Sequence, residues 1–131
     1  MLLAAAAVLA VVSSACGPTW DNEDLGDPSG YALQAFEDVY GTAPRSTCVA
    51  RVHSLRVVYE SAERISAECG LLGSEGCQKY AADGSDVAYV ADNHSTWVVA
   101  HEVMHMILRC ETGEADVAHA SDVWRLGLTS H

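Results

Sequence analysis

Apolar and polar positions along the chain change their rhythm several times, and each change predicts an element. Leu2 to Val12 is an unbroken apolar run of eleven residues closed by small residues ending in Ala15. That is the hydrophobic region and cleavage site of a secretory signal over residues 1–15, too short to span a bilayer comfortably. GPTWDNEDLGDPSG follows, with Asp21, Glu23, Asp24 and Asp27, Gly and Pro, and no base. Such a stretch buries too little apolar surface to offset its ordering entropy, so residues 16–30 read as a flexible acidic tether. A folded domain is expected over residues 31–131.

Within that domain, Leu33, Phe36, Val39 and Tyr40 fall at helical intervals and Gly41 with Pro44 supplies a stop, which predicts an amphipathic helix over 31–40. From Cys48 to Tyr59 the pattern alternates and β-branched residues dominate, which predicts a half-buried strand. Residues 60–68 suggest a helical turn or two before the Gly-rich segment GLLGSEG. A second strand is expected around Val87 to Val90, after the turn DGSD. Then comes WVVAHEVMHMIL, residues 97–108, preceded by several N-cap candidates in Asp92-Asn93-His94-Ser95. Nine of its twelve residues are apolar, so the helix belongs in the middle of the domain. It is expected to run to about Cys110 and to break at Thr112-Gly113. The fold class is therefore α+β: a short antiparallel or mixed sheet packed on one central helix.

The three polar residues of that helix are His101, Glu102 and His105. A buried carboxylate without a partner costs several kcal/mol or so, and this asks for a reason. Residues four apart on an α-helix rise about 6 Å and project from one face, so two imidazoles can converge on one metal ion. Glu102, one residue on, is placed to reach a water at that ion and act as general base. The spacing is that of a zinc hydrolase, with Zn(2+) as the expected cofactor. A catalytic zinc site needs a third protein ligand and an open position. Candidates downstream are Glu111, Glu114, Asp116, His119 and Asp122. His119, a neutral and zinc-preferred donor beyond a turn, is expected as the ligand, with Asp122 as the second choice. Asp122 or Asp116 is alternatively placed to accept the outer N–H of a ligand His.

HEVMH, the following Gly turn and His119-Ala-Ser-Asp-Val-Trp124 together resemble the zincin metallopeptidases, in particular minimal SprT-like and minigluzincin-type domains. The likeness covers roughly residues 85 to 125. It implies peptide-bond hydrolysis with His101, His105 and His119 on zinc, Glu102 as base, and the strand near Val87 to Val90 as the cleft edge that aligns an extended peptide. The metzincin pattern is excluded, because its Gly and third His would stand where Leu108 and Glu111 are. The competing expectation is a catalytically inactive, zinc-stabilised surface lipoprotein that acts as a binding module.

Five Cys in an exported chain leave one unpaired unless it has another use. Ser13-Ser14-Ala15-Cys16 resembles a bacterial lipobox, which would place a lipid, and with it membrane attachment, on Cys16; ordinary cleavage after Ala15 gives a secreted protein instead. The remaining four can form two disulfides in an oxidising compartment. Cys69 with Cys77 is favoured because a Gly-rich turn joins them, and Cys48 with Cys110 follows by elimination. A net charge of −11 with seven scattered bases argues against nucleic acid. Peptide or protein substrates and a monomeric state are the expectation. His53, His94 and His131 read as non-ligands, and Trp97 and Trp124 as aromatics packed beside the site.

Overall fold

The computed structural model describes residues 25–92 and 96–128. Residues 1–15, read above as a signal, and Cys16, expected to carry a lipid, lie outside them, as do Trp20, His94 and His131. Helix α1 spans Pro28–Tyr40, α2 Ser46–His53, strand β1 Arg56–Glu60, α3 Ala62–Cys69, β2 Gly76–Lys79, β3 Val87–Ala91 and α4 Thr96–Thr112. A short π-helical segment, Val123–Gly127, closes the described chain. Among the described residues no helix is long and apolar enough to cross a membrane.

The strands form one three-stranded mixed sheet in the order β1-β3-β2. β1 runs parallel to β3, pairing Arg56 with Val87 and Glu60 with Ala91, and β2 runs antiparallel to it, pairing Gly76 with Val90. The fold is thus the expected small α+β domain. α4 is its axis: eleven of its residues, Trp97 to Ala100 and Glu102 to Leu108, are buried. It packs against α1, α2, β2 and β3. Val98, Val103, Met104, Ile107 and Leu108 share one apolar cluster with Ala32 and Phe36 of α1, Val52 of α2, Val90 of β3 and Val123. A near-continuous apolar sequence is what a helix covered on this many sides requires.

Four expectations are corrected. The ordered domain begins before Tyr31, because Asp27 caps α1 through a 2.9 Å bond from Gly30 N, Pro28 opens the helix, and Leu25 N donates to Thr96 Oγ1 at 2.6 Å. Cys48 to His53, expected as the first half of a strand, belong to the helix Ser46–His53. Cys48 and Val52 lie one turn apart and are both buried, so one helical face is used, and alternation takes over only at β1. Gly76 and Cys77, expected to end the Gly-rich turn from Cys69, open a strand that runs to Lys79. Finally, Val87–Ala91 is the central strand of the sheet, and β2 is the edge beside α4.

Both favoured disulfides are present. Cys48–Cys110 ties α2 to the end of α4, and Cys69–Cys77 ties α3 to β2. Arg51 of α2 forms a forked ion pair with the fully buried carboxylate of Asp86, one contact being 2.8 Å, and also donates to Ala81 O at 2.8 Å. Ala81 N donates to Asp86 Oδ1 at 3.0 Å, so the turn before β3 is fixed from two directions. The Arg51 guanidinium holds Asp86 below the usual carboxylate range.

Candidate metal centre

His101 and His105 stand on one face of α4, one helical turn apart. Their Nε2 atoms are 3.2 Å apart. His119, delivered by the segment after α4, brings its own Nε2 to 3.1 Å from each. The three nitrogens form a nearly equilateral triangle. A ring nitrogen that carries hydrogen has no lone pair left to accept one, so three mutual contacts cannot all be hydrogen bonds. One cation facing three lone pairs satisfies them together, and a point roughly 2 Å from each nitrogen, the usual metal to imidazole distance, exists for a triangle of this size. The donor set therefore fits, and His101, His105 and His119 can hold a metal ion. The triangle consists of three protein donors, which leaves the remaining coordination positions to water or substrate.

The tautomer of His105 is set by the backbone. Its Nδ1 lies 2.6 Å from Ala115 O, and a carbonyl can only accept, so Nδ1 carries the hydrogen and Nε2 keeps its lone pair toward the triangle. Burial lowers the pKa of His105, although the Ala115 bond opposes it. Burial, then the neighbouring His105 and His119, lowers His101 to about 3. Both effects favour neutral rings, the form that ligates metal.

Glu102 is 6% exposed and projects between the helix and the edge strand. Burial raises its pKa to about 8 in the absence of any cation. It shares a cleft of about 210 Å³ with Glu75, Gly76, Val98 and His101. A side chain at position 76 would meet Tyr89 O at 2.9 Å, Val98 Cγ1 at 3.1 Å and Glu102 Oε1 at 3.2 Å, so only glycine lets the edge strand come this close to the carboxyl.

The segment after α4 needs two left-handed residues that are not glycine, Asp116 at φ 54° and His119 at φ 55°. Asp116 Oδ1 accepts from Ala120 N at 3.0 Å; Oδ2 accepts from Ser121 N at 2.8 Å and Trp124 Nε1 at 2.7 Å. Its carbonyl accepts from His119 N at 2.9 Å. Hydrogen bonds from Ser121, then from Ala120 and Trp124, hold the Asp116 carboxyl well below the ordinary range. The Trp124 indole lies 4.8, 4.4 and 4.5 Å, centroid to centroid, from the rings of His101, His105 and His119.

Other candidates fall away. Asp122 pairs with Arg125 at 3.1 Å and Glu111 with Arg45 at 3.4 Å, and neither they nor Glu114 join the triangle. The outer nitrogen of His105 is taken by Ala115 O, not by Asp116 or Asp122. His53 is exposed at the end of α2. The sequence reading did not reach Gly76, the Ala115 carbonyl or the part played by Asp116. An Asp three residues before a His in a turn is a recognisable signal, since Asp bonds to nearby backbone N–H groups and tolerates left-handed φ. The other two depend on long-range packing. Comparison with protein-family models, with curated proteins and with solved structures finds no match to this chain.

Proposed function

We propose that the chain is a zinc-dependent peptide hydrolase, with His101, His105 and His119 holding the ion and Glu102 serving as general base. The reading is carried by one observation: three imidazole Nε2 atoms lie 3.1–3.2 Å from one another, beside a buried carboxyl. Nitrogen donors alone suit zinc better than calcium or magnesium, which prefer oxygen. When bound, zinc is a Lewis acid that polarises a carbonyl and brings the pKa of water toward about 7.

The chain's own groups supply the rest. Glu102 opens on the same cleft as His101, so one of its oxygens can take a proton from water attacking a substrate carbonyl and return it to the departing amine. A divalent charge nearby favours the ionised carboxylate, opposing the effect of burial. β2 lies at the sheet edge beside α4, and an extended peptide can add to such an edge through its main chain. The role assigned by resemblance to residues 87–90 thus passes to residues 76–79. Two disulfides suit an exported protein, and a lipid anchor on Cys16 remains part of this proposal.

A second reading, a zinc-stabilised binding module on the cell surface, draws support from the cleft lining. Among the described residues, the lining of Glu75, Gly76, Val98, His101 and Glu102 includes no Arg, Lys or Tyr side chain to stabilise an oxyanion. Glu102→Gln separates the two. For a hydrolase, peptide cleavage falls by about 10²–10⁴ while one equivalent of zinc is retained. Wild-type protein loaded with zinc that cleaves no member of a broad peptide library favours the binding module.

A further inference from the structure

The third ligand stands on an exposed turn, although the other two are fixed by a buried helix. His119 itself adopts φ 55°, a region that costs a non-glycine residue free energy, so something must hold it there. Asp116 accepts hydrogen bonds from four residues of that segment: His119, Ala120, Ser121 and Trp124. Its carboxylate takes the N–H groups of Ala120 and Ser121, immediately after His119, and its carbonyl takes the N–H of His119. The same carboxylate takes the indole N–H of Trp124, whose ring lies against all three imidazoles. One residue earlier, the Ala115 carbonyl fixes the tautomer of His105. A single short segment thus sets the direction of one ligand and the lone pair of another.

We infer that Asp116 is the positioning residue of the metal centre: a carboxylate that does not touch the ion but gathers the 115–124 segment so that His119 completes the triangle before any cation arrives. The inference rests on the three-His metal reading proposed above and goes beyond it. A carboxylate is required because three donors converge on it. Asparagine has one acceptor oxygen and would turn an NH2 group toward at least one N–H. It tolerates left-handed φ as well as aspartate does, so Asp116→Asn tests the acceptors without adding backbone strain.

The experiment compares wild type with Asp116→Asn, measuring zinc affinity by chelator competition, the visible absorption of the cobalt-substituted protein, and the melting temperature of the metal-free protein. The expected result for Asp116→Asn is zinc bound about 10–100-fold more weakly, with an altered cobalt spectrum. The metal-free melting temperature should change little, which a merely structural role would not give. Should Asp116→Asn fail to fold, Trp124→Phe keeps the aromatic packing and removes one of the three donors; a loss of several-fold in zinc affinity is expected. Wild-type affinity and an unchanged cobalt spectrum in a folded Asp116→Asn protein, or wild-type affinity in Trp124→Phe where that variant must decide, overturns the inference and leaves the three-His reading intact. Wild-type protein that takes up neither zinc nor cobalt overturns both.

Discussion

Gly76 of the edge strand passes so close to Glu102 that a β-carbon on it would stand 3.2 Å from the carboxyl oxygen and 2.9 Å from the backbone oxygen of Tyr89. The carboxyl and the strand proposed to align substrate therefore share one boundary. Gly76→Ala must move either the strand or Glu102, and overpacking of this kind costs about 1–3 kcal/mol. A displacement near 1 Å at a reacting group can cost on the order of 10² in rate. The expected outcome is a loss of turnover of about tenfold or more with zinc content unchanged, read by steady-state kinetics alongside metal analysis. Full activity in this variant would show that Glu102 does not act from the position described.

His119 and Asp122 are close in sequence and opposite in role. His119→Ala removes one vertex of the triangle, so zinc affinity is expected to fall by several orders of magnitude in a chelator titration. Asp122 is largely exposed and, among the described residues, pairs with Arg125 rather than with the imidazoles, so Asp122→Ala should bind zinc as wild type does. Equal losses in the two variants would contradict the ligand set.

Asp86 gives the fold a dependence on acid. Its folded-state pKa is depressed by Arg51, so in the folded protein it binds a proton less readily than in the unfolded chain. The stabilisation is complete above the ordinary carboxylate value of about 4 and is lost as pH falls below that, toward the folded value. Asp86→Asn should flatten this part of the stability profile measured by urea unfolding. At neutral pH it should cost about 2–3 kcal/mol, less than a fully buried pair because the Arg51 side chain is 31% exposed.

The two disulfides close loops of different length. Cys48 and Cys110 are 62 residues apart, and Cys69 and Cys77 are 8 apart. On chain entropy alone the first contributes about 4 kcal/mol and the second about 2.5. Replacing Cys48 and Cys110 by Ala should lower the melting temperature more than replacing Cys69 and Cys77, as calorimetry can measure. The first pair also joins α2 to the helix that carries two ligands, so its loss should weaken zinc binding as well.

Those elements that carry their own local signal were legible in the chain. The run from Trp97 to Leu108 is apolar except at His101, Glu102 and His105, which locates both the central helix and the polar residues of the candidate site. Its stop at Thr112-Gly113, the strand at Val87 and the Cys69–Cys77 pairing were legible from local signals: a turn residue, an apolar stretch after the turn DGSD, a Gly-rich loop; Cys48–Cys110 followed only by elimination. The segment Cys48–His53 was not, because its residues fit alternation as well as helical spacing; the helix lets Cys48 and Val52 be buried on one side while Cys48 reaches Cys110. Gly76–Lys79 has no apolar pattern and becomes a strand by pairing with Val87 to Val90.

The sequence by itself determined that two imidazoles and a carboxyl would share a buried helix, since their spacing of one turn and an apolar frame are properties of consecutive residues. Only the tertiary structure decided which strand borders them, that Gly76 must lack a side chain, and that His119 rather than Asp122 reaches the other two rings. Those outcomes depend on strand order and on a carboxylate at Asp116 that draws backbone and indole donors together, and neither is encoded in the periodicity of any single segment.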